Sequence, residues 1–98
     1  MAIRSFRNRG THDIAFGVSS KRARSLLPDH LHEVAYSRLH LIDAAFSLED
    51  LRMFRGLKLE KLLGDRSGQF SIRINNQYRI CFYWYPPDAA DVEIVDYH

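Results

Sequence analysis

The chain has 98 residues, 46% of them hydrophobic and 12% aromatic, which suits one small packed core and excludes a chain disordered throughout. Its formal net charge is +2 and it holds a single cysteine, Cys81, so a disulfide framework or a cysteine-rich metal site is excluded and a reducing compartment is expected. No apolar run approaches the roughly 18 residues of a membrane span, and Met1 to Phe6 is too short and too soon charged for a signal peptide. The expectation is a single cytoplasmic domain over residues 1–98, with no membrane contact.

In chain order, Ala2-Ile3-Arg4-Ser5-Phe6 reads as a short edge strand. Thr11 is expected to cap a short helix that runs to Phe16 and stops at Gly17, and Ser19-Ser20-Lys21-Arg22 reads as a loop. Charge is uneven along the chain. Up to Arg24 there are six basic residues (Arg4, Arg7, Arg9, Lys21, Arg22, Arg24) against one acid, Asp13; after Pro86 there are four acids and no Lys or Arg. Such a basic end suits an anionic partner, and equally a solvated face.

After Pro28, Asp29 is placed to cap a helix. Leu31, Val34, Ala35, Arg38, Leu39, Ile42, Ala45 and Phe46 recur at three- and four-residue intervals, an amphipathic stripe with one basic intruder. Ser47 with Asp50 suggests a capping box opening a short helix to Phe54. Gly56 and Gly64 bracket a compact connection carrying Lys58, Glu60 and Lys61. His30, His32 and His40 lie largely off the apolar stripe and form no convincing ligand set, so no metal site is expected.

The last third alternates. Phe70, Ile72 and Ile74 interleave with Ser71 and Arg73; Tyr78, Ile80, Phe82 and Trp84 with Arg79, Cys81 and Tyr83; Val92 and Ile94 with Glu93, Val95 and Tyr97. Period-two alternation puts one face of each strand on a core and the other toward water or a ligand. The fold class is therefore α+β, a small antiparallel β-sheet with N-terminal helices packed on one face.

Residues opposite one another share a face, and this fixes register. A two-residue Asn75-Asn76 loop would set Ile72 against Arg79. A three-residue loop, with an asparagine taking a left-handed conformation, sets Phe70 against Phe82, Ile72 against Ile80 and Ile74 against Tyr78. Arg73 then faces Arg79, and Ser71 faces Cys81. Pairing Tyr85 with Asp91 across Pro86 to Ala90 sets Arg79 against Tyr97, with Asp96 and His98 at the strand's end, provided no bulge intervenes. Facing arginines repel. Both snorkelling to separate acids would relieve that; so would an anion between them, since two guanidiniums present forked donors suited to a phosphate.

The run LEKLLGDRSGQFSIRINNQYRICF, followed by VEIVDYH, resembles the HigB toxins of bacterial type II toxin–antitoxin systems, part of the RelE-like group of ribosome-dependent messenger RNA endonucleases. The matching features are the GD step, the SIRIN strand, the Q-Y-R-I opening of the next strand and the terminal DYH, with IRSF at the start. The resemblance implies a RelE-like fold and metal-free, cofactor-free cleavage of messenger in the ribosomal A site of the 30S subunit, with the RNA 2′-hydroxyl attacking the adjacent phosphate. It places the family's arginines on Arg73 and Arg79 and its terminal triplet on Asp96, Tyr97 and His98. Many relatives read HPLKGD where this chain reads EKLLGD, so Glu60 stands in the histidine position and Leu63 in that of the lysine. Glu60 is then either a catalytic base or a partner of a nearby cation.

Lys58, Lys61, Arg66, Arg4 and Arg22 are the expected RNA contacts. The implied protein partner is a HigA-like helix-turn-helix antitoxin, through which alone operator DNA would be met. The competing expectation is a module that binds RNA, or acts as the antitoxin's co-repressor, without cutting messenger.

Overall fold

A computed structural model describes residues 2–97. It contains helices α1 (Arg9–Ala15), α2 (Lys21–Leu26), α3 (His32–Ala44) and α4 (Leu48–Arg52), then strands β1 (Glu60–Lys61), β2 (Gln69–Arg73), β3 (Tyr78–Tyr85) and β4 (Asp88–Asp96). The strands form one antiparallel sheet in the order β1-β2-β3-β4. The class is α+β, as the alternation and the helical stripe require. No helix among the described residues is long and apolar enough to cross a membrane.

The N-terminal segment lies alongside β4 as an edge, with parallel bridges Ile3↔Ala89 and Phe6↔Val92. Asn8, not Thr11, caps α1: its Oδ1 accepts from the Thr11 N–H at 2.9 Å. Thr11 is inside the helix, fully buried, and its hydroxyl accepts from the Ile94 N–H of β4 at 3.1 Å. Gly17 closes the turn at φ +72°, a conformation that glycine adopts freely.

The expected loop at Ser19 to Arg22 is instead the start of α2, capped by Ser20, whose hydroxyl accepts from the Ala23 N–H at 3.1 Å. This helix presents no apolar stripe to read because Ala23 is its one buried residue. Asp29 does not cap α3 directly; a 3-10 turn, Asp29–Leu31, precedes it. Asp50 does close the start of α4, accepting from the Phe46 and Ser47 N–H groups at 2.8 and 3.2 Å, but the helix ends at Arg52 rather than Phe54.

Ala35, Leu39 and Ile42 of α3 pack with Ile14, Ala23 and Leu27 against Ile72, Ile80, Phe82, Val92 and Ile94, the inner face of the sheet. Two stripe members depart from expectation: Val34 is at the surface, and Phe46, beyond the helix end, is 83% exposed. Arg38, the basic intruder, is half-buried, and its Nε donates to the Arg73 carbonyl at 3.4 Å, tying α3 to the end of β2.

The β2–β3 register is Phe70↔Phe82, Ser71↔Cys81, Ile72↔Ile80 and Arg73↔Arg79, as face matching requires. The turn holds without a left-handed asparagine. The Asn75 Oδ1 accepts from the Gln77 and Tyr78 N–H groups at 2.9 and 2.7 Å, an Asx-type turn. The β3–β4 register differs from expectation. Pro86-Pro87 alone separate the paired residues Tyr85 and Asp88, and Arg79 pairs with Val95, not Tyr97. An extra residue near Asp91, itself at φ +51°, bulges β4 and resets the ladder.

Candidate functional site

The outer face of the sheet carries Glu60 from β1, Gln69, Ser71 and Arg73 from β2, Arg79, Cys81 and Tyr83 from β3, and Glu93 and Val95 from β4. Alternation predicts an open face here, yet Ser71, Cys81, Gln69 and Arg79 are buried. Arginines do the covering. Arg66 lies across the middle, its Nη1 donating to Gln69 Oε1 at 3.1 Å and to Glu93 Oε1 at 3.2 Å. Arg79 folds down onto β2. Long guanidinium stems laid flat cover this face of the sheet.

The repulsion between the facing arginines is relieved because the two guanidiniums are drawn to different neighbours. Arg73 donates through Nη2 to Asn76 Oδ1 in the turn. Arg79, 9% exposed, donates from Nε to Ser71 Oγ at 2.7 Å and from Nη2 to the Lys58 carbonyl at 2.6 Å. Its Nη1 is 3.9 Å from Glu60 Oε1, a carboxylate 54% exposed. That separation is at the outer limit of an ion pair, so Nη1 is the part of the group least committed within the protein.

Tyr97 reaches this group despite the changed register. A shift of two residues preserves the face, so Tyr97 becomes a diagonal neighbour of Arg79, and the Arg79 Cζ sits 6.0 Å from the Tyr97 ring centroid. The Tyr97 N–H is held by the Gln77 carbonyl at 2.7 Å. Asp96 pairs with Tyr78 in the ladder, on the other face, and accepts from Gln77 Nε2 at 3.2 Å. His98 lies outside the described residues.

The expected RNA contacts are dispersed. Lys58 and Lys61 are exposed, Lys58 beside the Arg79 guanidinium and Lys61 on β1. Arg66 is ion-paired over the outer face. Arg4 is at the far end of that face, 3.6 Å from Asp88, with its Cζ 5.5 Å from the Tyr85 ring centroid. Arg22 is on the helical side, bonded to Asp13 at 3.1 Å. Asp13 also accepts from the Ser20 hydroxyl at 2.6 Å, and that bond, with Arg22, holds its carboxyl below the usual range. Burial pushes the Cys81 thiol up, which makes it an unreactive packing residue. Of the histidines, the His32 ring contacts the Leu27 carbonyl at 2.7 Å and the His40 ring lies against Tyr36, so each has a structural role.

Sequence reasoning overlooked Ser71 and the Lys58 backbone. A serine on the polar side of a strand carries no signal of its own. Lys58 at φ +47°, ψ +57° is a non-glycine residue in the left-handed region, with no glycine at 58 to announce it.

A family model described as the RelE-like toxin of type II toxin–antitoxin system HigB matches residues 6–98. Among curated proteins, Toxin HigB-1 of Vibrio cholerae serotype O1 is 39% identical over 69 residues, covering 70% of this chain and 72% of that protein.

Proposed function

The chain belongs to the RelE-like HigB toxins of type II toxin–antitoxin systems and so has an antitoxin as partner, and from this we propose that it is a ribosome-dependent endoribonuclease that cuts messenger RNA in the A site of the small subunit. The observation that carries the reading is the pairing of Arg73 with Arg79, with the Tyr97 ring beside the Arg79 guanidinium.

In the proposed reaction the 2′-oxygen of one nucleotide bonds to the adjacent phosphorus as the bond to the 5′-oxygen of the next nucleotide breaks. A 2′,3′-cyclic phosphate and a 5′-hydroxyl result. Arg79, through Nη1, and Arg73 stabilise the charge that builds on the non-bridging oxygens. Glu60, beside Nη1, takes the 2′-hydroxyl proton. Tyr97 and His98 supply the proton to the leaving oxygen, and Asp96 steadies the end of β4 through Gln77. Lys58, Lys61, Arg66, Arg4 and Arg22 contact RNA electrostatically, which makes ribosome binding fall with salt. The antitoxin is proposed to be a HigA-like helix-turn-helix protein that carries the toxin to operator DNA.

The test is a map of messenger 5′ ends after induction of the toxin alone. Wild type is expected to give new ends within translated codons. Arg79→Ala is expected to give none while still folding and still binding antitoxin. Wild-type protein that binds ribosomes and leaves messenger intact would replace this reading with that of a non-cutting binding module or co-repressor.

A further inference from the structure

The Arg79 side chain is anchored more firmly than phosphate binding alone requires. Its Nε bonds to Ser71 Oγ, and Ser71 is completely buried. Its Nη2 bonds to the Lys58 carbonyl at 2.6 Å, and lies 3.4 Å from the carbonyl of Ser71 as well. Lys58 presents that carbonyl from a left-handed conformation in which an L side chain is strained. The 3-10 turn Arg55–Leu57 ends there, with the Lys58 N–H bonded to the Arg55 carbonyl at 3.1 Å, so the strained residue is held by a closed turn. Strain of this kind persists only where the surrounding structure over-determines it.

We propose that Ser71 is a positioning residue for the cleavage reaction. Its hydroxyl and the left-handed Lys58 carbonyl form a cradle that fixes the Arg79 guanidinium plane and leaves Nη1 as the edge offered to substrate. This rests on the nuclease reading above. Nε and Nη2 would be the natural bidentate edge toward a phosphate, but the cradle occupies both. The substrate phosphate therefore takes a single-nitrogen contact from Arg79, at the place where Glu60 stands 3.9 Å away, and its second cationic contact comes from Arg73. A guanidinium already locked in place needs no reorganisation as charge develops, which is where electrostatic catalysis gains most. Ser71 touches no reacting atom. Its effect passes through Arg79.

The experiment compares wild type with Ser71→Ala, Ser71→Cys and Ser71→Thr in single-turnover cleavage of ribosome-bound messenger, each protein being purified as its antitoxin complex and released. Cysteine keeps the shape of serine but is a weak acceptor, and threonine keeps the hydroxyl. Ser71→Ala and Ser71→Cys are expected to lower kcat by about 10- to 100-fold, the scale of a small misplacement of a reacting group, with KM little changed. Ser71→Thr is expected to restore most of the loss. In a nitrogen-edited proton spectrum, the Arg79 Nε–H of wild type should exchange slowly with water, and in Ser71→Ala it should exchange fast. Alanine and cysteine variants with kcat within about twofold of wild type would overturn the proposal. So would a loss confined to KM with the Nε–H signal unmoved. A wild type that never cuts ribosome-bound messenger overturns the nuclease reading instead, so the two failures are separable.

Discussion

Arg79 differs from a surface arginine in having its Nε and one terminal nitrogen already bonded inside the protein. Lysine cannot copy that arrangement. Its compact ammonium has no fork with which to hold the buried Ser71 hydroxyl and the Lys58 carbonyl in the same geometry. Arg79→Lys is therefore expected to abolish cleavage as fully as Arg79→Ala, and to cost about 1.5–3 kcal/mol of stability through the lost charge-assisted hydrogen bonds. End mapping and a denaturant titration check the two parts separately. Glu60 poses a different question because its carboxylate is mostly in water. If it accepts the 2′-hydroxyl proton, Glu60→Gln should lower kcat by about 10²-fold in single-turnover cleavage. A Glu60→Gln enzyme as fast as wild type, or faster, would make Glu60 only a counter-ion to Arg79.

The elements were legible to different depths, and the reasons are physical. The β2–β3 hairpin could be placed because its short turn left only a two- or a three-residue loop to choose between, and sorting apolar from polar positions decided that choice, from which Arg73 opposite Arg79 followed. On β4 the same rule fixes the face but not the slide along it, since a shift of two residues leaves every side chain on its own side. The turn is three residues tighter than expected, pairing Tyr85 with Asp88, and the one-residue bulge near Asp91 leaves a net slide of two at Arg79. The α1–α2 corner was illegible because it is held by polar contacts rather than a stripe: Ser20 caps α2 and also donates to Asp13, which Arg22 approaches from α2. Ser20→Ala should cost about 0.5–2 kcal/mol for the cap alone.

The Asp13 carboxyl also gives this corner an acid signature. Its folded-state pKa is lowered, chiefly by the Ser20 hydroxyl bond and by Arg22. Its stabilisation is therefore fully present above the unfolded carboxylate pKa of about 4, and is lost as pH falls through the folded value. Denaturation midpoints followed from pH 6 down to about pH 2 should fall for wild type across that window. Asp13→Asn should start lower and fall less steeply. Parallel curves for the two proteins would remove Asp13 from the acid response.

At the scale of the whole molecule, two layers divide the work. Helices α1, α2 and α3 cover the inner face of the sheet with apolar side chains, whereas the outer face is closed by its own arginines and carries the Arg73, Arg79 and Tyr97 set. Catalytic geometry should then depend on the core only through whether the chain is folded. Leu39, on α3, is 1% exposed and belongs to the core cluster facing the sheet. Leu39→Ala removes three carbons from a packed site, at a cost of about 2–5 kcal/mol. That is a large part of the roughly 5–15 kcal/mol available to a domain of this size. The melting temperature should fall by at least about 8 °C. At a temperature where the variant is still mostly folded, its single-turnover cleavage rate, corrected for the folded fraction, should match wild type within about twofold. A folded Leu39→Ala protein that cuts much more slowly would mean that the inner packing reaches through β2 and β3 to set the Arg79 cradle, and that the two layers do not act independently.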